Sequence, residues 1–230
     1  MSNSKQINKK VDHVCAVIPF YNEKETLKKI INETSNFVDH IIAVNDGSTD
    51  DLYTEESKLN CVEFIKLEKN YGKGKALSVG FEKAISSGFH YVVTLDADFQ
   101  HDPQYIPKFL DSLSLFDIVI GNRLNNLKGM PLQRRASNKL TSLLLTLRTG
   151  QTILDSQCGF RTYRREVLEK VKTENFGFEA ESEILIKAAK RKFRIGFIDI
   201  PTIYGDEKSK MRPLQAIVGF LKVLFMKVDV

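Results

Sequence analysis

Three carboxylates stand close together in Asp96-Ala97-Asp98-Phe99-Gln100-His101-Asp102, directly after Tyr91-Val92-Val93-Thr94-Leu95 and directly before Pro103. The run ahead of them is β-branched, apolar and too short for a helix, so it reads as a buried strand. Pro103 suits the first turn of a following helix. Asp96 and Asp98 therefore fall at the carboxyl end of a strand, where open α/β sheets bind ligands. Hard oxygen ligands of this kind suit Mg2+ or Mn2+, above all when a diphosphate completes the shell. The same residues also read as a helix start whose acids complement the dipole, and this stretch alone leaves the two readings level.

The elements that would hold this loop are legible on both sides of it. Val14-Cys15-Ala16-Val17-Ile18 is an apolar run closed by Pro19, as a buried parallel strand should be. A helix over residues 25–37 follows, with Leu27, Ile30 and Ile31 at helical spacing. A second strand, residues 40–44, leads into Asn45-Asp46-Gly47-Ser48-Thr49-Asp50, a turn rich in residues that cap or bend a backbone. Residues 62–66 read as a third strand, and Asn70-Tyr71-Gly72-Lys73-Gly74-Lys75 as a glycine-rich loop before a helix over 76–87. That loop lacks the first glycine of a Walker A motif and has Leu77 in the third-glycine place of a dinucleotide fingerprint, so neither an ATPase nor a dehydrogenase is expected.

Beyond the acidic loop come a short helix from Pro103 and a strand over 117–120, closed by Gly121-Asn122-Arg123. Strands alternating with helices predict an α/β fold with a mostly parallel, doubly wound sheet. Residues 124–130 read as a lid-like loop. A long helix over 131–149 carries Leu140, Leu143, Leu144 and Leu147 at core-packing spacing, with Arg134 and Arg135 in first turns where the dipole disfavours cations. A strand over 195–201 and a charged linker over 206–212 follow. The organisation expected is a flexible arm over 1–11, one domain over 12–212 and an amphipathic helix over 213–230. In that helix Arg212, Gln215, Lys222 and Asp229 share one stripe, and Lys227 lies on the apolar side, from which it can snorkel toward lipid head groups. The helix reads either as packed on the core or as lying in a membrane interface.

Of the 230 residues, 42 % are hydrophobic, enough to build a core and to argue against disorder across the chain. The net charge of +5 fits an anionic partner. Cys15, Cys61 and Cys158 are too scattered for a zinc knuckle or a disulfide framework, which makes a reducing, cytoplasmic setting the default. The polar start shows no signal peptide, and no stretch reaches the roughly 18 to 20 apolar residues of a spanning helix.

Val17-Ile18-Pro19-Phe20-Tyr21-Asn22-Glu23, Asn45-Asp46-Gly47-Ser48-Thr49-Asp50, Gly72-Lys73-Gly74-Lys75-Ala76, Asp96-Ala97-Asp98-Phe99-Gln100-His101-Asp102-Pro103 and Gly121-Asn122-Arg123 follow one another in the order and spacing of family 2 glycosyltransferases. With Cys158-Gly159-Phe160-Arg161, Phe178-Glu179-Ala180-Glu181 and Lys208-Ser209-Lys210, the chain resembles the dolichol-phosphate mannosyltransferase branch and its polyprenyl-phosphate relatives. The resemblance implies a GT-A nucleotide-sandwich fold, a divalent metal (Mg2+ or Mn2+), a nucleotide-diphosphate sugar such as GDP-mannose or UDP-glucose, and a polyprenyl or dolichyl phosphate acceptor. It places Pro19, Tyr21, Asn22, Glu23, Asp46 and Lys75 at the nucleotide sugar, Asp96, Asp98 and Gln100 at the metal and diphosphate, and Arg123, Arg135 and Lys210 at the acceptor phosphate. It further implies peripheral association with the cytoplasmic face of a membrane, the terminal helix meeting lipid or a membrane-protein partner subunit, and no nucleic-acid partner. Two departures stand out: Asn45 replaces a first aspartate common in the family, and the paired transmembrane helices of some relatives are absent.

The chemistry also follows from the residue types. A phosphate monoester has a second pKa near 6 and is largely dianionic at pH 7, so as acceptor it needs cations more than a general base. A single displacement with inversion at the anomeric carbon is expected. The competing readings are a soluble glycosyltransferase extending a cell-surface polysaccharide and a nucleotide-sugar-binding protein without catalysis. Among residues inside these motifs, Glu179 and Glu181 read as helix-start acids, Phe160 and Phe178 as core, Lys73 and Lys75 as a solvated loop or a phosphate contact, His101 as a hydrogen-bonded loop residue, and Cys158 as a small buried side chain.

Overall fold

The computed structural model describes residues 13–50, 60–125, 130–201 and 213–228. Seven strands form one sheet: β1 (Val14–Phe20), β2 (His40–Asn45), β3 (Val62–Lys66), β4 (Tyr91–Thr94), β5 (Ile118–Asn122), β6 (Arg161–Arg164) and β7 (Ile195–Asp199), in the spatial order β3-β2-β1-β4-β6-β5-β7. The apolar runs of β1, β2, β4 and β5 are buried along most of their length, as strands covered on both faces must be. All pairings are parallel except those of β6, which runs antiparallel between β4 and β5. β6 is a strand the sequence reading did not include, because Arg161, Thr162 and Arg164 hide its character. It inserts where hydrophobic patterning shows a loop.

Seven α-helices connect and cover the sheet: α1 (Lys24–Thr34), α2 (Lys73–Ser86), α3 (Ile106–Ser112), α4 (Leu132–Thr149), α5 (Arg165–Lys170), α6 (Ala180–Lys190) and α7 (Pro213–Phe225). A 3-10 turn over Pro103–Tyr105 precedes α3, with the Asp102 side chain accepting from the Gln104 amide at 2.9 Å. This is the helix start that the proline signalled. α2 packs on β1 and β2, and α6 is flanked by α4 and α7.

Three differences from the periodicity have physical causes. α2 begins at Lys73, so half of the supposed glycine loop is its first turn. Gly72, at φ 107°, is the turn residue, and Gly74 faces residues 175–180 with no room for a side chain. α4 is turned around: Asn138, Ser142 and Leu145 are buried, whereas Leu140, Leu143 and Leu147 are exposed. Spacing identifies a face but not the side that meets the core. α7 ends at Phe225, so Lys227 lies past the helix. The arm over 1–11, most of the lid-like loop and the linker that carries Lys210 fall outside the described residues.

The sheet order reverses between β1 and β4. β1 pairs with β2 as far as Phe20 and Asn45, but with β4 only as far as Val17 and Thr94, so the chain ends diverge beyond that point. The crevice between their carboxyl ends is the switch point at which such sheets take ligands.

A methyl group at position 74 would meet the Ala180 Cβ at 2.5 Å and the Asn175 and Gly177 carbonyl oxygens at 2.7 and 2.8 Å. Gly74→Ala is therefore expected to destabilise the fold by about 1 to 3 kcal/mol, read from the urea midpoint. An unchanged midpoint would mean that residues 175–180 can give way.

Candidate active site

The loops after β1 and β2 lock together on one side of the crevice. Asn22 adopts φ 53°, which asparagine tolerates. Its Oδ1 accepts from the Thr49 amide at 2.8 Å, and its own amide donates to Ser48 Oγ at 3.0 Å. Asn45 closes the turn by accepting from the Ser48 amide at 2.7 Å, so the residue that lacks the usual aspartate charge keeps a hydrogen-bonding role. Glu23 starts α1, its carbonyl accepting from Thr26 and Leu27. Asp46 is buried and accepts from the Tyr71 and Gly72 amides at 2.9 and 2.8 Å. Burial pushes its carboxyl upward against the pull of those two N–H groups. In this geometry Asp46 latches β2 to the start of α2. Pro19 and Tyr21 lie beside it at the end of β1, and Lys75 sits 5.8 Å from the centre of the Phe176 ring.

The acidic loop is built on Phe99, whose φ of 59° is uncommon for an aromatic residue and strained. Lys29 of α1 lies 3.9 Å from the centre of its ring, and Asp98 Oδ1 accepts from the Gln100 amide at 3.1 Å. Asp96 makes a different bond: Lys73 Nζ lies 2.6 Å from its Oδ1 and 2.8 Å from Oε2 of Glu181. Burial works to lower the Lys73 pKa, but the two carboxylates outweigh it and raise it. Burial likewise works to raise Asp96, and Lys73 and His101 together outweigh it, holding the carboxyl well below the ordinary range. Lys73 is thus neither a solvated loop residue nor a cation set aside for phosphate.

Glu181 does more than begin a helix. Its Oε1 lies 3.2 Å from Nε of Arg161, a fully buried arginine whose other donors reach the Ser156 and Glu181 carbonyls. His101 is also buried, with Nε2 3.8 Å from Asp96 Oδ2 and its ring against Phe160. Phe160 stacks on Phe109 at 4.2 Å and belongs to the core, as expected. Phe178 does not: it is exposed, as is Phe176. Cys158 is buried, and burial pushes its thiol up to about 12.

Across the crevice, Arg123 follows β5. Asp155, wholly buried, accepts from its Nε at 2.8 Å, from Nη2 at 3.0 Å and from its backbone amide at 3.1 Å. Asn138 of α4 donates to the same carboxylate at 2.6 Å. Burial raises and Arg123 lowers the Asp155 carboxyl, with a net fall. A methyl group on Gly159 would run into Asp96 Oδ2, and one on Gly121, two residues before Arg123, would meet Cys158 Sγ at 2.9 Å, so the acidic loop and the end of β5 meet across Cys158-Gly159. Asp155 and Asn138 were not singled out by sequence reasoning, and Arg161 was quoted within the Cys158-Gly159-Phe160-Arg161 motif without a role of its own. Arg135 lies in the first turn of α4, partly exposed. Lys210 lies outside the described residues.

Among the described residues no three His, Cys, Asp or Glu side chains group closely enough to enclose a metal ion. The oxygen donors of the acidic loop suit instead an open site, in which Mg2+ or Mn2+ keeps few protein ligands and takes the rest from phosphate and water.

Removing the Asp155 charge with Asp155→Asn leaves Arg123 without its carboxylate and should cost about 3 kcal/mol, measured by thermal or urea denaturation. Asp96 and Asp155 both titrate lower in the fold than the ordinary 3.8. Depressed carboxyls contribute stability that is complete above the unfolded pKa and is lost as pH falls toward the folded one. The urea midpoint should therefore hold level down to roughly pH 4 and drop below it; a level midpoint through roughly pH 3 would contradict both pairings.

Residues 15–172 match Glycosyl transferase family 2. The chain is 37 % identical over 229 residues to the UDP-N-acetylglucosamine--dolichyl-phosphate N-acetylglucosaminyltransferase of Methanococcus voltae, covering 89 % of this chain and 90 % of that protein. It is 30 % identical over 205 residues to the dolichol-phosphate mannosyltransferase of Pyrococcus furiosus, covering 84 % of this chain and 56 % of that one. In structure it is similar to glucosyl-3-phosphoglycerate synthase from Mycobacterium tuberculosis, solved with Mn2+, uridine diphosphate and phosphoglyceric acid. The TM-score is 0.71 at 20 % identity, over 94 % of this chain and 80 % of that one. The same synthase has also been solved with Mg2+ and uridine diphosphate. The fold is accordingly the GT-A type that the motifs implied, and the chain belongs to glycosyl transferase family 2.

Proposed function

We propose that this glycosyltransferase moves a sugar from a nucleoside-diphosphate donor to a polyprenyl or dolichyl phosphate, with inversion at the anomeric carbon. The observation that carries the reading is Arg123, a guanidinium fixed by a bidentate fork from buried Asp155 at the end of β5, where Cys158-Gly159 packs between Gly121 and the Asp96 carboxylate. A fixed cation beside the donor loop serves an acceptor that arrives already ionised. The names of the relatives, which use dolichyl phosphate, support the same acceptor class.

In this reading Pro19, Tyr21, Asn22, Glu23 and Asp46 form the nucleoside side of the crevice, and Lys75 stands at its edge. Asp98, Gln100 and the Asp96 oxygen not bound to Lys73 are the donors that would hold Mg2+ or Mn2+. When bound there, the ion supplies Lewis-acid neutralisation of the charge on the leaving diphosphate. Arg123 holds the acceptor phosphate: Asp155 takes Nε and Nη2, and Nη1 is not part of that fork. Arg135, in the first turn of α4, and Lys210, which lies outside the described residues, are the further cations assigned to the acceptor phosphate. Orientation by a rigid guanidinium is where a bidentate arginine exceeds a lysine. No general base is needed at the acceptor oxygen. Peripheral attachment to the cytoplasmic face of a membrane is the setting that a lipid-phosphate acceptor calls for; no helix among the described residues is long and apolar enough to cross a bilayer.

The test is release of nucleoside diphosphate from UDP-N-acetylglucosamine, UDP-glucose and GDP-mannose with a short-chain polyprenyl phosphate and Mn2+. Arg123→Ala should lower kcat at least about a hundredfold while donor affinity, measured by calorimetry, stays within a few-fold. Near-normal turnover of that variant on a sugar acceptor would instead favour a polysaccharide-extending enzyme. Donor binding without diphosphate release in the wild-type chain would favour a non-catalytic protein. Asp98→Ala should abolish turnover with every donor, and a product that retains the donor's anomeric configuration would overturn the displacement.

A further inference from the structure

α4 carries Asn138 and Ser142 inward and three of its leucines outward. Asn138 and Ser142 are buried against Asp155 and Ser156, whereas Leu140, Leu143 and Leu147 are 57, 56 and 74 % exposed. At 3.6 residues per turn these leucines lie within about a quarter turn of one another. They form a stripe, which scattered surface leucines would not. α7 repeats the arrangement. Val223 and Leu224 are buried, while Ile217, Leu221 and Phe225 are 56, 44 and 78 % exposed along its outer side. The two helices are tied together by Arg148, whose Nε and Nη2 donate to the Leu224 and Met226 carbonyls at 2.9 and 2.8 Å. These two adjoining helices hold most of the exposed large apolar side chains among the described residues, the others being Tyr71, Leu115, Leu154, Phe176 and Phe178.

The charges on these helices say what covers them. α4 carries Arg134, Arg135, Lys139 and Arg148, α7 carries Lys222, and neither contains an aspartate or glutamate, although the chain has 29 acids. A second copy seated on this face would set cation against cation, which is costly. An anionic lipid surface meets the same cations favourably while its acyl boundary accepts the leucines.

We propose that the outer faces of α4 and α7 form a bilayer-seating surface that lays the chain on an anionic membrane, with Leu140, Leu143, Leu147, Ile217, Leu221 and Phe225 entering the acyl boundary and Lys139 and Lys222 at the head groups. The proposal rests on the lipid-phosphate acceptor only for its purpose. Its evidence, the exposed stripe and the acid-free helices, is separate. It assigns to α4 a membrane role that its leucine spacing had suggested was core packing.

The experiment is flotation of the full chain with phosphatidylcholine vesicles, with or without phosphatidylglycerol, in the absence of donor and acceptor. The wild-type chain should float with the phosphatidylglycerol vesicles and lose binding as salt rises. The triple variant Leu140→Gln, Leu143→Gln, Leu147→Gln should lower the vesicle-bound to free ratio by more than about tenfold, with an unchanged melting curve and unchanged turnover of a water-soluble short-chain acceptor. Lys139→Gln with Lys222→Gln should weaken the phosphatidylglycerol dependence. Equal flotation of the triple variant, no flotation of the wild type, or a wild-type dimer that these substitutions dissociate would each overturn the proposal. A chain that floats by this face but transfers sugar to no lipid phosphate would leave the surface standing and remove the acceptor. Turnover of the short-chain acceptor without flotation would do the reverse.

Discussion

The Lys73 ammonium, held between the carboxylates of Asp96 and Glu181, is the interaction on which the site depends. It joins the start of α2, the loop after β4 and the first turn of α6, three elements far apart in sequence. Taking such charges out of water is expensive, and a partly broken cluster leaves a buried charge uncompensated. The local sequence is arranged accordingly. Gly72 takes a backbone angle closed to most residues, and Gly74 lets α2 approach residues 175–180, so that Lys73 can reach both acids. Arg161 completes the cluster from β6 by binding the far side of Glu181. The antiparallel strand has a purpose in this setting: it delivers a buried cation to the middle of the sheet.

A second cluster works on the same principle at the other edge of the crevice. Asp155 binds Arg123 through two side-chain nitrogens and one backbone nitrogen, and Asn138 and the Gln157 amide donate to Oδ1, the oxygen that also accepts from Arg123 Nη2. Ser142 and Ser156 extend the network. Because these polar groups must face inward, α4 cannot also bury its leucines. The demand for a fixed guanidinium thus decides the orientation of the helix, and the exposed stripe is its consequence.

This explains what could be read from the residues alone and what could not. β1, β2, β4 and β5 were legible because a buried parallel strand must be continuously apolar, and the acidic loop was placed at the end of β4, although its residues alone read equally as a helix start, which Asp102 does make. β6 was hidden because the burial of Arg161 and Thr162 is sustained by ion pairs and carbonyls contributed by distant segments. The leucines of α4 were legible as one face but not as the outer one: the information that reverses the helix lies in Asp155, remote from its periodicity. Phe178 was taken as core on residue type, although it lies in the turn before α6 and is exposed. Asp46 was visible as a polar turn residue, while its attachment to the Tyr71 and Gly72 amides depends on where β2 places it.

The two clusters also bear on how an amphiphilic substrate would be held. Lys73 already neutralises Asp96, and Asp155 already neutralises Arg123, so neither pair adds a large net charge to the crevice by itself. What they supply is fixed direction, which is worth more than loose charge when the ligand is itself ionised. From Arg135 to Leu147 α4 rises about 18 Å, running from cations at its first turn to an apolar stripe along its outer side. On the proposed reading that single helix runs from the cations of the site toward the bilayer. The inward polar face fixes Arg123 through Asp155, and the same constraint leaves the outward face apolar toward the membrane.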